Sequence, residues 1–132
     1  MNERQPMDNV QTSADERGWV SNLLDFLPVS SAQLKNVHLV EMKPGTVRGN
    51  HRHRVQTEWI VICGGPCLVV TESEDQRSER YLTGDQPMML TLPPGVAHAV
   101  QYNGDHRAYL VCLTDTPYNF QDPDVERITL IE

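Results

Sequence analysis

Seven short apolar runs, at residues 37–42, 58–63, 67–71, 80–82, 88–92, 97–102 and 108–113, limit what this chain can fold into. Five of them end in turn-forming residues, Lys43-Pro44-Gly45, Gly64-Gly65-Pro66, Thr83-Gly84-Asp85, Pro93-Pro94-Gly95 and Asn103-Gly104-Asp105, and the last ends near Pro117. Each run has the length of a strand rather than a helix, and the breaks recur at fairly even spacing. That pattern dictates an all-β sandwich or barrel. The Gly64-Gly65-Pro66 break predicts a hairpin, with residues 67–71 pairing directly with residues 58–63. Residues 21–27 have room for a short helical turn at most. No repeat, low-complexity tract or linker divides the 132 residues, a length that suits one core. The reading is therefore a single domain over 1–132, with polar residues 1–13 as a loose N-terminal segment.

Charge and cysteine usage narrow the function classes. The formal net charge is -7. A general nucleic-acid binder needs a basic face to displace phosphate counterions, so no nucleic-acid partner is expected. No apolar run approaches bilayer length and no leader-like segment opens the sequence, so the expectation is a cytoplasmic protein without membrane contact. Cys63 and Cys67 are separated by three residues, which is neither a redox pair nor a zinc knuckle. Cys63 and Cys112 lie in apolar runs and read as buried thiols.

Chemistry concentrates in residues 45–58, GTVRGNHRHRVQTE. His51 and His53 are two apart, which on a strand turns both imidazoles to one face. Glu58 opens the next run and can return to the same point. His98 follows the rigid Pro93-Pro94-Gly95 turn. Three imidazoles and a carboxylate suit borderline divalent metals: zinc first, with iron, manganese or nickel as alternatives. Arg48, Arg52, Arg54 and Arg107 make a local basic excess in an acidic chain. A guanidinium fork matches phosphate oxygens, and histidine suits proton transfer beside a carbonyl. Strand alternation puts Arg52 with Arg54 on the face opposite the histidines, where Arg52 reads as solvated. Tyr102 shares the His98 face and is a candidate acid or a packed side chain. His38 and His106 fit no pattern and read as structural or exposed. Residues 71–79 read as a charged hairpin tip.

These residues resemble the two cupin motifs. Gly45, His51, His53, Glu58 and Gly65 match the first at every position. Gly84, Pro93, Gly95 and His98 match the second in type, although the gap from Gly84 to Pro93 is three residues longer than the pattern and Tyr102 stands where asparagine is common. The resemblance spans residues 45–102 and implies a double-stranded β-helix, the cupin jelly-roll barrel, with His51, His53, Glu58 and His98 pointing inside as metal ligands. It does not imply one reaction.

Two further stretches resemble narrower groups. Asp15-Glu16-Arg17-Gly18 is similar to the opening of nucleotide-sugar epimerases and ketoisomerases. Arg48-Gly49-Asn50-His51-Arg52-His53-Arg54 resembles a segment of the 3,4-ketoisomerases and of metal-binding cupin domains in capsular-sugar biosynthesis. Glu58 stands where the ketoisomerases commonly carry a non-ligating amide, which favours the capsular type. The resemblance implies an isomerase or epimerase acting on an anionic, nucleotide-linked keto-sugar in polysaccharide biosynthesis. Arg48 and Arg54 would bind substrate, and His53, His51 and Tyr102 are the candidate catalytic residues. His51 and His53 cannot be ligands and free bases at once. The competing readings are a mononuclear iron or manganese dioxygenase and a non-catalytic small-molecule-binding cupin. Exposed sheet edges predict a homodimer, with the segment up to Val20 reaching across.

Overall fold

The structure is a computed structural model that describes residues 7–25 and 27–132. Its strands are β1 (Met7–Asn9), β2 (Ser13–Asp15), β3 (Gly18–Val20), β4 (Asn36–Met42), β5 (Val47–Arg52), β6 (Glu58–Cys63), β7 (Cys67–Ser73), β8 (Gln76–Leu82), β9 (Met88–Leu92), β10 (Ala97–Tyr102), β11 (Ala108–Thr114) and β12 (Glu126–Arg127). Single 3₁₀ turns at Leu23–Asp25 and Ser31–Gln33 are the helical elements among the described residues. None is long and apolar enough to cross a membrane.

Two five-stranded antiparallel sheets, ordered β1-β9-β6-β11-β4 and β12-β5-β10-β7-β8, pack face to face. This is the double-stranded β-helix that the cupin motifs imply. Alternation explains the packing. In β6, Ile60 and Ile62 join the core between the sheets, while Trp59 and Val61 are covered on the outer face by Val10, Leu27, Met89 and Leu113. A strand buried on both faces must be apolar throughout, hence the unbroken run after Glu58. In β10, Val100 and Tyr102 point into the core and Ala97 and Ala99 point outward beneath Leu130.

Two expectations need correction. The Gly64-Gly65-Pro66 turn does not close a hairpin: β6 pairs with β9 and β11, whereas β7 pairs with β8 and β10. The turn carries the chain from one sheet to the other. Gly65 lies against Gly84, where an added Cβ on Gly84 would be 2.5 Å from the Gly65 nitrogen. One glycine from each cupin motif thus supplies the other's clearance. The N-terminal segment is also less loose than its polarity predicts. Met7–Asn9 pairs with β9, and Met7 and Val10 are buried, so these two apolar side chains anchor it. Residues 1–6 lie outside the described residues. The Asp15-Glu16-Arg17-Gly18 segment forms the exposed β2–β3 hairpin, with Arg17 paired to Asp15 at 2.6 Å.

Candidate metal and substrate site

The site is built on a bulge. His98 pairs with His51 and Ala99 with Gly49, leaving Asn50 as an extra residue in β5. Asn50 holds φ 56°, a left-handed conformation that asparagine tolerates better than most residues. Gly49 is needed because an added Cβ would stand 2.7 Å from the His98 carbonyl oxygen. The Asn50 amide faces the C-terminal tail: Nδ2 donates to the Ile131 carbonyl at 2.8 Å, and Oδ1 accepts from the Leu130 and Ile131 amides. The bulge is therefore held from behind by residues eighty positions away.

His51, His53, Glu58 and His98 converge, with one ligand atom from each lying within 4.8 Å of every other. The three imidazole centroids are 4.6–5.6 Å apart. His53, Glu58 and His98 are buried and His51 half-buried. His53 Nδ1 donates to the Asp124 carbonyl at 2.6 Å, which turns Nε2 to Glu58 Oε1 at 3.0 Å. The Asp124 carboxylate in turn accepts the amides of Arg54, Val55 and Gln56. Gly95, in the Pro93-Pro94-Gly95 turn, donates to the His53 carbonyl. An imidazole oriented through its second nitrogen by a backbone carbonyl is the usual outer support of a metal ligand.

The electrostatics follow from this packing. Burial, then the neighbouring His51 charge, pushes the His98 pKa down to about 4. Burial and His53 lower His51. Burial alone would lower His53 too, but the bonds to Glu58 and the Asp124 carbonyl outweigh it and raise the pKa. Burial opposes ionisation of Glu58, yet the bond from His53 and the surrounding imidazoles hold its pKa below the ordinary value. Two imidazoles are thus neutral at pH 7 and the carboxylate ionised, the forms that a divalent cation takes as ligands. The donor set fits such an ion.

Two cavities meet at this cluster. One, of about 380 Å³, has Arg48 and Arg127 on its wall together with apolar Val40, Ile60, Val100 and Leu110. The other, of about 400 Å³, is lined by polar groups including Gln56, Thr116, Asn119 and Asp124. His38, His51 and Glu58 line both. Arg48 lies where a phosphate-binding group is expected, but its Nε and one terminal nitrogen donate to the Glu41 carbonyl at 3.1 and 2.8 Å. Arg54 lines the second cavity and faces Asp122 and Asp124 at 3.8 and 3.6 Å. Arg52 is tied to Glu126 at 2.8 Å rather than left free. Tyr102 is not brought to the site. It is 3 % exposed within the main core and lines neither cavity.

Sequence reasoning missed Asn50 and Asp124 as supports and Arg127 and His38 as lining groups. Arg127 pairs with His51 through β12, which a two-residue strand hides. His38 did carry a signal: it alternates with Val40 and Met42 on the inward face of β4.

Residues 13–126 match the polysaccharide biosynthesis C-terminal domain. The spore coat polysaccharide biosynthesis protein SpsL of Bacillus subtilis is 30 % identical over 92 residues, 64 % of this chain and 61 % of that protein. This chain thus matches less than two-thirds of that relative's length. The fold is similar to that of QdtA, a sugar 3,4-ketoisomerase from Thermoanaerobacterium thermosaccharolyticum in complex with TDP, at TM-score 0.72 and 17 % identity, covering 92 % of this chain and 85 % of that one. A mutant of the same protein was solved with TDP-4-keto-6-deoxyglucose. It is also similar to the capsular polysaccharide assembling protein CapF of Staphylococcus aureus, at TM-score 0.67 and 20 % identity, over 92 % of this chain and 33 % of that one.

Proposed function

We infer the function from one premise: this chain belongs to the polysaccharide biosynthesis C-terminal domain family, which residues 13–126 match. The reading is an isomerase or epimerase that acts on a nucleotide-linked keto-sugar and uses a divalent metal, zinc first. The observation that carries it is the convergence of His51, His53, Glu58 and His98 where two cavities meet. A purely structural cluster would have no reason to open onto both.

In this reading Arg48 and Arg127 face the diphosphate from the wall of the first cavity, and the sugar reaches the cluster. Arg48 retains donors beyond those used by Glu41. Arg54, held by two carboxylates, contributes through the second cavity's rim rather than as a free phosphate clamp. In this reading the three buried members, His53, Glu58 and His98, would hold the ion with two imidazoles and a carboxylate, which leaves His51 free. When bound, the ion supplies Lewis-acid polarisation of a ketone or hydroxyl oxygen. His51 is the half-buried member and lines both cavities. Its lowered pKa keeps it neutral at pH 7, so its imidazole can take a proton from the carbon beside the carbonyl. Tyr102 takes no part.

Assembly belongs to the same proposal. β4 is an edge strand with Val37 and Leu39 exposed, and the β2–β3 hairpin is exposed along its length. A second copy would cover such surfaces, and a mass-resolved size measurement at micromolar concentration that finds only monomer refutes the dimer. The function itself is tested by incubating the protein with TDP-4-keto-6-deoxyglucose and following the product by chromatography, with and without chelator. Conversion that a chelator abolishes is expected. Conversion untouched by chelation removes the metal from the mechanism and leaves His51 to act without it. Oxygen uptake by iron-loaded protein, without sugar conversion, would favour the dioxygenase reading.

A further inference from the structure

His38 stands outside the four-residue cluster, yet it lines both cavities beside His51 and Glu58. Its side chain is 43 % exposed, so a molecule in the cleft can reach it. Asn36, two residues earlier on the same face of β4, brings its amide Nδ2 to 3.2 Å from His38 Nδ1. An amide NH₂ can only donate, so Nδ1 is the acceptor and the neutral ring carries its hydrogen on Nε2. Nε2 lies 3.8 Å from Glu58 Oε2, too far for a hydrogen bond. The Nε2 hydrogen is therefore left to whatever occupies the cleft. An oriented, uncommitted donor beside a proton-accepting imidazole is what a carbonyl oxygen needs as it becomes an enolate.

We propose that His38 is a catalytic residue that donates an Nε2–H hydrogen bond to the substrate's carbonyl oxygen, with Asn36 as the positioning residue that fixes its tautomer. The inference rests on the keto-sugar reading above. In an isomerisation, the carbon beside the ketone loses its proton to His51, and the C–H electron pair becomes the C=C of an enediolate. The former carbonyl oxygen gains the negative charge and accepts the bond from His38. The hydrogen of the neighbouring hydroxyl then shifts to that oxygen, and His51, half-buried and open to both cavities so that its proton exchanges with solvent, delivers a proton to the former carbonyl carbon. Atoms and electrons balance without an oxidant, and the Nε2 hydrogen stays on His38 throughout.

Nitrogen-15 NMR of histidine-labelled protein tests the premise without any turnover: His38 should show hydrogen on Nε2, and hydrogen on Nδ1 instead overturns the proposal. Turnover of TDP-4-keto-6-deoxyglucose tests the role. His38→Phe should lower kcat by about 100- to 1000-fold with little change in KM, while metal content stays at the wild-type level. His38→Gln keeps a donor and should recover part of the loss. Asn36→Asp leaves the imidazole in place but offers it an acceptor, so the hydrogen should move to Nδ1 and kcat should fall with it. Variants as fast as wild type overturn the role of His38 and leave the functional reading standing. Metal loss in step with activity reduces His38 to a support for Glu58 and also overturns it. A wild-type protein that does not convert the keto-sugar defeats the functional reading first, and the inference with it.

Discussion

Strand β10 sends two polar side chains into the same barrel, His98 near its start and Tyr102 at its end, and their surroundings differ. Tyr102 is packed into the main core with Val100, Met42 and Cys67 among its members. His98 is as fully buried, but it faces His51, His53 and Glu58 where the two cavities meet. Four residues of strand separate the two by about 13 Å. One end of the barrel is filled and supplies stability. The other is left open, and there His53 is held by Glu58 and by the distant Asp124 carbonyl, while His98 Nδ1 has no hydrogen-bond partner among the described residues. Burial alone does not identify a site. What identifies it is burial beside unfilled volume.

The account can be broken most forcefully at the filled end. Tyr102→Ala should cost about 3–5 kcal/mol of stability, the usual price of truncating a core aromatic, while metal content of the folded fraction is unchanged. Tyr102→Phe should keep both turnover and metal. Denaturant titration and metal analysis read the two effects separately, and a turnover loss in Tyr102→Phe with stability and metal content unchanged would restore the tyrosine as an acid.

At the open end the sign reverses. Glu58→Gln should weaken metal affinity by about 100-fold or more, near 2.7 kcal/mol, with a melting temperature within a few degrees of wild type. Competition with a coloured chelator measures this. Equal losses of stability and affinity would make Glu58 a structural residue like its neighbours in β6.

Acidity sharpens the contrast further. His53 is raised above its ordinary 6.5 by its bond to Glu58, so a metal must displace a proton from it. Affinity should rise with pH, by up to about tenfold per unit, until that raised pKa is passed, and then level. Calorimetry in two buffers of different ionisation heat should show proton release on binding below that point. The packed end has no such dependence.

Much of this was legible in the sequence. The strands at 58–63, 88–92 and 97–102 and the four converging residues follow from run length, turn chemistry and motif spacing. The supports did not, because they come from chain far away. Asn50 is fixed by Leu130 and Ile131, and His53 by Asp124, contacts that register and a two-residue strand create and no local pattern announces. The Gly64-Gly65-Pro66 turn misled for a related reason: a glycine-proline break marks a reversal but not which sheet the chain enters. Arg48 was found by its motif, yet its commitment to the Glu41 carbonyl was not. The smallest predicted effect lies there. Arg48→Ala should raise KM for the nucleotide-linked sugar only about fivefold, the worth of an exposed charge contact near 1 kcal/mol, and leave KM for the free sugar unchanged. An equal rise for both would remove the phosphate role.

The function proposed for the open end is the movement of a proton on a nucleotide-linked keto-sugar. Proton NMR of TDP-4-keto-6-deoxyglucose incubated with the protein in deuterium oxide measures this step itself, even where the net equilibrium lies far to one side. The account predicts loss of the signal from the carbon beside the ketone, dependent on His51 and retained in Tyr102→Phe. A substrate that binds, with its own resonances broadened, and yet keeps that hydrogen at the rate of a protein-free control would contradict it.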